Sequence, residues 1–338
     1  FKPLLVSRER RYYGPIFDEE NPEHFFLFIM EGPNINVAEY NMTTGALDTL
    51  YNEPGAFYAI DYYDGKILLY RSISFSETQL AMYDIATEEV TDLTGLTQIN
   101  NAVFTGDGSV LLLTSAESTE REFMKYCLMD LDKPKEYEIV YDRRMDSDGM
   151  TYNRETGVVI AVLNKDGYST LKGFDLDGND IAVPKTDIGV ISEYSASAIT
   201  SNDYDDYVFS FTSPTTPPTA YYFKLGENKP QRIGKVSTFG FDFSNIDVEV
   251  IRYESEDGTM VPSLIYKPAN IARDGSNPAI IQYHGGPPSQ SRPYFQRNIA
   301  FALSQGFIVM FPNVRGSTGY GPAWEEADNR EGRFAALK

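Results

Sequence analysis

The stretch Phe57-Tyr58-Ala59-Ile60-Asp61-Tyr62-Tyr63-Asp64-Gly65-Lys66-Ile67-Leu68-Leu69-Tyr70-Arg71 reads as two strands joined by a two-residue turn. Asp-Gly suits a tight hairpin, where the central residues take positive φ angles. The apolar run Ile67-Leu68-Leu69 marks the second strand as the buried one. Further along, Gln79–Ile85 reads as a third strand and Glu89–Leu93 as a polar outer fourth.

This unit recurs. Apolar runs at Phe25–Met30, Lys66–Tyr70, Val110–Leu113, Val158–Leu163 and Tyr207–Phe211 are each followed by a similar triplet. The triplets are Tyr40-Asn41-Met42, Tyr83-Asp84-Ile85, Met129-Asp130-Leu131, Phe174-Asp175-Leu176 and Phe223-Lys224-Leu225. Asp64-Gly65, Asp107-Gly108 and Glu155-Thr156-Gly157 fall at the same place in successive units. A spacing of roughly 45 residues with four short strands per unit is that of a β-propeller blade. A helical reading fails because the runs are short and bounded by turn residues. A β-sandwich would not repeat one unit five times. The expected fold is therefore mainly β, with a propeller of about five blades over residues 1–243. Such propellers commonly close with more blades, which are expected upstream of Phe1.

Composition narrows the function classes. The chain has 338 residues, room for two domains or one large β domain with an appendage, and 24 Tyr with 21 Phe favour β structure. A net charge of -20 argues against nucleic acid as a partner. One cysteine, Cys127, excludes an internal disulfide and a cysteine-rich zinc site. No apolar stretch approaches the roughly 18–20 residues of a membrane span. No signal peptide opens the chain, and Phe1-Lys2-Pro3-Leu4 reads like interior sequence. The expectation is a soluble protein of cytoplasm or periplasm, with no cofactor and no metal. A homo-oligomer is compatible with the sequence.

After Phe243 the pattern changes. Ile246–Tyr253 and Met260–Tyr266 read as a hairpin about Glu256-Asp257-Gly258-Thr259. Ala279–Tyr283 reads as a buried, parallel-type strand, Asn298–Gln305 as a helix stopped by Gly306, and Phe307–Phe311 as the next buried strand. Strand, helix and strand in that order imply an α/β sheet with a crossover helix. Pro322 onward looks helical at first, and the pattern is unfinished at Lys338. Residues 244–338 thus read as the N-terminal portion of a truncated α/β-hydrolase domain. Two motifs stand at its turns: Tyr283-His284-Gly285-Gly286-Pro287 and Asn313-Val314-Arg315-Gly316-Ser317-Thr318-Gly319-Tyr320-Gly321.

A propeller followed by Glu256-Asp257-Gly258-Thr259 and these two motifs resembles the prolyl oligopeptidase family of serine peptidases. Within it the pattern is most similar to the acylaminoacyl-peptidase and dipeptidyl-peptidase-like branch. The resemblance implies hydrolysis of short peptides by a Ser-Asp-His triad, with the propeller screening substrates by size. It implies that Gly285-Gly286 presents a backbone N–H, that of Gly286, to the oxyanion hole, where a fixed donor contributes about 3–4 kcal/mol. It also makes His284, Pro287 and Arg315 candidates for substrate binding.

The sequence departs from the family in one respect. No Gly-x-Ser-x-Gly occurs, the nearest stretch being Gly167-Tyr168-Ser169-Thr170-Leu171 in a blade turn, and the only histidines are His24 and His284. The chain is expected to be an inactive fragment that lacks nucleophile, acid and base. His284 is read as fixing its loop rather than as a general base. Arg315 is read either as a clamp on a substrate carboxylate or as the ion-pair partner that holds its loop. Ser289, Ser291 and Ser317 have no base in view from the sequence. His24 reads as a rim residue, and Pro214, Pro217 and Pro218 as a blade loop. Glu325, Glu326 and Asp328 read as a solvated helix face rather than a metal site. Two other classes stand beside the peptidase: a non-catalytic propeller that binds peptides, with a vestigial hydrolase segment, and an esterase.

Overall fold

The computed structural model describes residues 5–336 except 19–20, 33, 54, 56, 74–76, 115–122, 192–199, 202–205, 239, 244, 273 and 287–288. It is mainly β. Blade 1 contains β1 (Arg11–Phe17), β2 (His24–Glu31), β3 (Asn34–Asn41) and β4 (Leu47–Tyr51). Blade 2 contains β5 (Phe57–Tyr63), β6 (Lys66–Ser72), β7 (Thr78–Asp84) and β8 (Glu89–Asp92). Blade 3 contains β9 (Ile99–Phe104), β10 (Ser109–Thr114), β11 (Lys125–Asp130) and β12 (Glu138–Tyr141). Blade 4 contains β13 (Ser147–Asn153), β14 (Val158–Lys165), β15 (Tyr168–Asp175) and β16 (Asp180–Ile181). Each is an antiparallel meander. In blade 5, β17 (Val190–Ile191) and β18 (Thr200–Ser201) both pair with β19 (Asp206–Ser213), followed by β20 (Thr216–Lys224) and β21 (Gln231–Arg232).

The recurring triplet has a structural basis. Its first residue is buried in every blade: Tyr40, Tyr83, Met129, Phe174 and Phe223. Its polar second residue turns the chain toward the fourth strand. Asn41 Oδ1 accepts the N–H groups of Thr43 and Thr44, Asp84 Oδ1 those of Ala86 and Thr87, and Asp175 Oδ1 those of Asp177 and Asn179. These Asx turns spare the backbone an unpaired end. Blade 5 has Lys224 here, and the Glu227 carboxylate does the work by accepting the Lys224 N–H.

Within each unit neighbouring blades pack face to face, so the second strand of such a blade is apolar on both sides. Leu68 and Leu80 of blade 2 meet Ala102, Val110 and Leu112 of blade 3 in one core. Val158, Ile160 and Val162 of blade 4 meet Tyr207, Phe209 and Phe211 of blade 5 in another. Each of the Val, Leu, Ile and Phe side chains among them contributes about 1.5–3 kcal/mol by leaving water. Of the three prolines read as a blade loop, Pro214 lies in the turn between β19 and β20, but the other two do not. Pro217 and Pro218 lie within β20, at the irregularity where its register to β19 shifts between Phe211 and Ser213. Proline lacks an N–H, so it is tolerated where the ladder is already broken.

The C-terminal sheet has the order β22 (Ile246–Glu254), β23 (Met260–Pro268), β25 (Ile308–Pro312), β24 (Ala279–Ile281). The first three are antiparallel, and β24 runs parallel to β25 with helix α1 (Arg297–Ser304) between them in sequence. Ile299, Ala302 and Leu303 of α1 pack on Leu264, Tyr266, Val309 and Phe311 of the sheet. Helix α1 ends at Gly306, where the Phe307 N–H returns to the Ala302 carbonyl. Strand β24 differs from expectation in one respect: Ile280 and Ile281 are exposed rather than buried. It is the edge of the sheet, and no described strand lies beyond it. The apparent helix after Pro322 is only α2 (Pro322–Glu325), with α3 (Gly332–Ala336) separated from it by turns.

By its contacts the chain divides into two units, Phe1–Thr119 with Lys125–Asp142, and Glu120–Met124 with Arg143–Lys338. Blades 4 and 5 thus share a unit with the C-terminal sheet. No described helix is long and apolar enough to cross a membrane.

Candidate active site

Strand β24 pairs with β25 through Ile281, and the Gln282 N–H extends the ladder to the Met310 carbonyl. His284 and the two glycines follow at once. Gly285 and Gly286 are exposed, and Gly286 has φ +74°, a conformation that β-carbon-bearing residues rarely adopt. Pro287 lies outside the described residues.

The second motif packs beside this turn. His284 Nε2 lies 2.9 Å from Ser317 Oγ. The sequence showed no base near Ser317; the structure supplies one, because β24 and β25 are neighbours and their C-terminal loops meet. The pair is nevertheless not built as a nucleophile and base. Ser317 is fully buried, and its hydroxyl donates to the Val314 carbonyl at 2.6 Å. Among the described residues Nδ1 of His284 makes no hydrogen bond, so no described acid orients the ring as a triad requires. Burial lowers the proton affinity of the imidazole, opposed weakly by the Gly285 backbone beside it, which favours the neutral form.

Arg315 is held on both sides. Its Nη1 pairs with Asp257 and lies 3.3 Å from Thr259 Oγ1, and its Nη2 donates to the Ala335 carbonyl at 2.6 Å. With 11% of its side chain exposed, it binds the loop to the β22–β23 turn. The Arg315 guanidinium, then the Thr259 hydroxyl and N–H, hold the Asp257 carboxyl down to about 2. This contribution is complete above the ordinary aspartate range and disappears as pH falls through about 2. A carboxyl-carbon NMR titration of Asp257 is expected to show that midpoint. In Arg315→Ala it should move toward about 3.9, the unperturbed aspartate value. An unchanged midpoint would show that the pair does not form in solution.

The loop bearing Arg315 is fixed from three further directions. The Thr318 N–H bonds the Ser289 carbonyl, the Gly316 N–H bonds the Trp324 carbonyl, and the Gly321 N–H bonds Asp146 Oδ2 at 2.8 Å. Burial raises the pKa of that aspartate. Gly319 has φ +83°, and a Cβ built there would fall 2.4 Å from the Gln290 amide nitrogen. Asn313 joins both loops from inside. Fully buried, it accepts the Ser291 N–H at 2.7 Å and donates to the Ser291 carbonyl and to the Tyr320 hydroxyl. Burial pushes the Tyr320 phenol up to about 12.

Arg292, absent from the sequence reading, is the deepest charge here. Its side chain is 4% exposed and reaches blade 4, donating to Asp148 Oδ2 at 2.6 Å, the Gly167 carbonyl at 2.9 Å and Ser169 Oγ at 3.1 Å. Gly167-Tyr168-Ser169, the nearest approach to a nucleophile motif, is therefore the seat of this arginine, and Ser169 is buried. Asn164 to Gln290 and Asp166 to Arg252 are further bonds between blade 4 and the C-terminal segment. His24 is distant in sequence and chemistry. From β2 its half-buried ring bonds Glu39 and Asn41 on the neighbouring strand β3 of blade 1.

Blades of four antiparallel strands, then a hydrolase-type sheet with an exposed glycine turn after its parallel strand, define a propeller-bearing α/β hydrolase. The sequence profile of the prolyl oligopeptidase family matches residues 293–333. The chain is 28% identical over 228 residues to a prolyl endopeptidase of Elizabethkingia miricola, covering 67% of this chain and 31% of that protein. It is 30% identical over 135 residues to an uncharacterized peptidase of Bacillus subtilis, covering 40% of this chain and 20% of that protein. Among solved structures, a prolyl endopeptidase superposes with a TM-score of 0.77 at 18% identity, covering 96% of this chain and 50% of the other. A puromycin hydrolase superposes at 0.76 and 19% identity, covering 96% and 54%. The chain is thus similar to the prolyl oligopeptidase family, whose profile it matches over residues 293–333, and it spans about a third of the length of the prolyl endopeptidase relatives it matches.

Proposed function

We propose that this chain is the propeller, residues 1–243, and the leading part of the catalytic domain, residues 244–338, of a serine peptidase acting on short peptides. The observation that carries this reading is the exposed Gly285-Gly286 turn, placed directly after a parallel strand with Gly286 in a left-handed conformation. In that position the Gly286 N–H serves as an oxyanion-hole donor, polarising the scissile carbonyl as negative charge develops on its oxygen. Arg315 and His284 support the site by holding its loops. The Ser-Asp-His triad is supplied by sequence beyond these 338 residues. We assign cleavage of the acylaminoacyl or dipeptidyl type. Prolyl endopeptidase activity, named for the relatives, is the competing specificity.

The test compares the complete reading frame with this chain. The complete protein is expected to react with a fluorophosphonate probe and to hydrolyse acyl-amino-acid or dipeptidyl chromogenic substrates. Hydrolysis only after internal proline would replace the assigned specificity. Turnover of short esters without peptides would make it an esterase, and peptide binding without turnover a propeller-based binding protein. The 338-residue chain alone is expected to remain unlabelled, because Ser317 is buried and Ser169 is engaged by Arg292. Stoichiometric labelling would overturn that assignment.

A further inference from the structure

A cleft of about 320 Å³, large enough for a small molecule, lies where blade 5 meets the first strand of the C-terminal sheet. Its polar part comes from blade 5: the Asp187 carboxylate, ahead of β17, and the hydroxyls of Ser213, Thr215 and Thr216 around the β19–β20 turn. The rings of Phe211 and Tyr221 also line it, packed edge to face with centroids 5.6 Å apart. Ile188 and, from β22, Ile246 and Val248 complete the lining with aliphatic surface.

These walls are fixed by the chain around them. Phe211 lies so close over Gly189 that a Cβ built there would fall 2.2 Å from its ring. Thr212 Oγ1 donates to the Thr216 carbonyl at 3.0 Å and accepts the Phe295 N–H at 3.2 Å, which ties the hairpin to the C-terminal segment.

The lining carries one negative charge and no positive one. Lys185, two residues before Asp187, and Arg232, opposite Tyr221 on β21, are exposed and form no part of it. Among the described residues the Asp187 carboxylate has no ion-pair or hydrogen-bond partner, and the hydroxyls of Thr216 and Tyr221 make no hydrogen bond. Ser213 Oγ is partly used: it accepts the Thr215 N–H at 3.3 Å and lies 3.3 Å from Thr215 Oγ1. An anionic ligand would meet like charge here, in a chain of net charge -20. A polyol would leave hydroxyls unpaired against the three aliphatic side chains. An ammonium group on an apolar stem fits every part. Its N–H donors meet the carboxylate and hydroxyl oxygens, the aromatic rings attract the cation, and the stem covers Ile188, Ile246 and Val248.

We propose that this cleft binds a primary ammonium ion carried on an apolar stem, with Asp187 as the counter-ion and the Thr216 and Tyr221 hydroxyls as acceptors. Blade 5 holds the charged end and β22 the apolar end, so the bound ligand ties that blade to the C-terminal sheet. None of these residues belongs to the two glycine motifs, and the proposal does not rest on the peptidase reading. The α-ammonium of a peptide that begins with an apolar residue, a lysine side chain and a free amine all carry this chemistry.

The test titrates the 338-residue chain with phenethylammonium and isopentylammonium, followed by backbone amide NMR. Saturable shifts are expected at Thr216 and Val248. Phenethyl and isopentyl alcohol, of the same shape without the charge, are expected to bind about fivefold more weakly, the worth of an exposed ion pair. Asp187→Asn should weaken the amines by the same factor and leave the alcohols unchanged. Asp187 is exposed, so this variant is expected to keep the thermal midpoint of the free chain. Tyr221→Phe, which removes one acceptor, and Val248→Thr, which sets a hydroxyl beneath the stem, probe the same cleft from its two ends. The latter should weaken the amines about threefold or more. Raising the ionic strength from about 0.05 M to about 0.5 M should weaken them as well. Leucinamide against Nα-acetyl-lysinamide separates the sources: the tighter of the two names a peptide N-terminus or a lysine side chain, and binding of the simple amines alone names a free amine.

Equal affinity for the amines and their alcohols, or unchanged amine binding in Asp187→Asn, overturns the proposal. So do shifts scattered over the surface rather than gathered at the cleft, and so does glucose binding more tightly than either amine. A complete protein without hydrolase activity would defeat the peptidase reading and leave these measurements standing.

Discussion

Arg292→Ala is expected to destabilise the unit containing blades 4 and 5 and the C-terminal sheet by about 3–5 kcal/mol. The arginine is nearly excluded from water, and Asp148 beside it has 12% of its side chain exposed. Taking both charges out of water is costly, so the pair as a whole contributes little net stability. Removing one partner is different. It leaves the Asp148 carboxylate without its cation and the Gly167 carbonyl without the 2.9 Å donor it has now. Lysine would not substitute, because a single ammonium cannot span the Gly167 carbonyl, Asp148 and Ser169 as the guanidinium fork does. Trp324 is the only tryptophan and lies in the same unit, so its fluorescence during urea unfolding reports the effect locally. The double variant Arg292→Met with Asp148→Asn should be less destabilised than Arg292→Met alone, since no unpaired charge remains. A single-variant loss below about 1 kcal/mol, the worth of an exposed pair, would show that the arginine does not anchor blade 4.

Asn313→Ala is expected to cost about 3 kcal/mol in the same assay, because each orphaned buried polar group costs about 1–3 kcal/mol. Asn313 is fully buried and uses both ends of its amide. Alanine would leave the Ser291 N–H and carbonyl unpaired at once, with the Tyr320 hydroxyl losing a donor. Asn313→Asp provides the sign. Ionised, its second oxygen would face the Ser291 carbonyl without a proton to share, whereas protonated it regains a donor. The buried carboxyl would therefore have a raised pKa. Its variant should be closest to wild type below the ordinary aspartate range and lose stability as pH rises through the raised value. A pH-independent penalty would mean that water replaces the lost bonds.

Much of the fold was legible because it is encoded locally. The five apolar runs, the Asp-Gly turns and the triplets identified the blades, and the structure explains the triplet's polar residue by its turn-capping carboxylate or amide. Pro217 and Pro218 misled, because the register shift that admits them depends on pairing with β19, whereas Pro214 lies in a turn as read. Strand β24 read as buried because Ala279-Ile280-Ile281 is apolar, yet burial is a property of neighbours, which an edge strand lacks on one side.

The site was legible only in outline. The two glycine motifs could be found by eye, since φ and close approach restrict residue type at the position itself. Their partners could not. Arg292 meets Asp148 across 144 positions, Asn164 meets Gln290 across 126, and His284 meets Ser317 across 33. A lone arginine after Ser291 carries no periodicity or spacing that names its acceptor.

The sequence by itself determined the blade repeat and the strand–helix–strand order, because hydrophobic period and turn chemistry act over a few residues. Tertiary structure alone decided which charge is buried, which serine is sealed and which histidine meets it. Those depend on desolvation and on hydrogen-bond geometry measured in tenths of an ångström, and both arise only when distant segments are brought together.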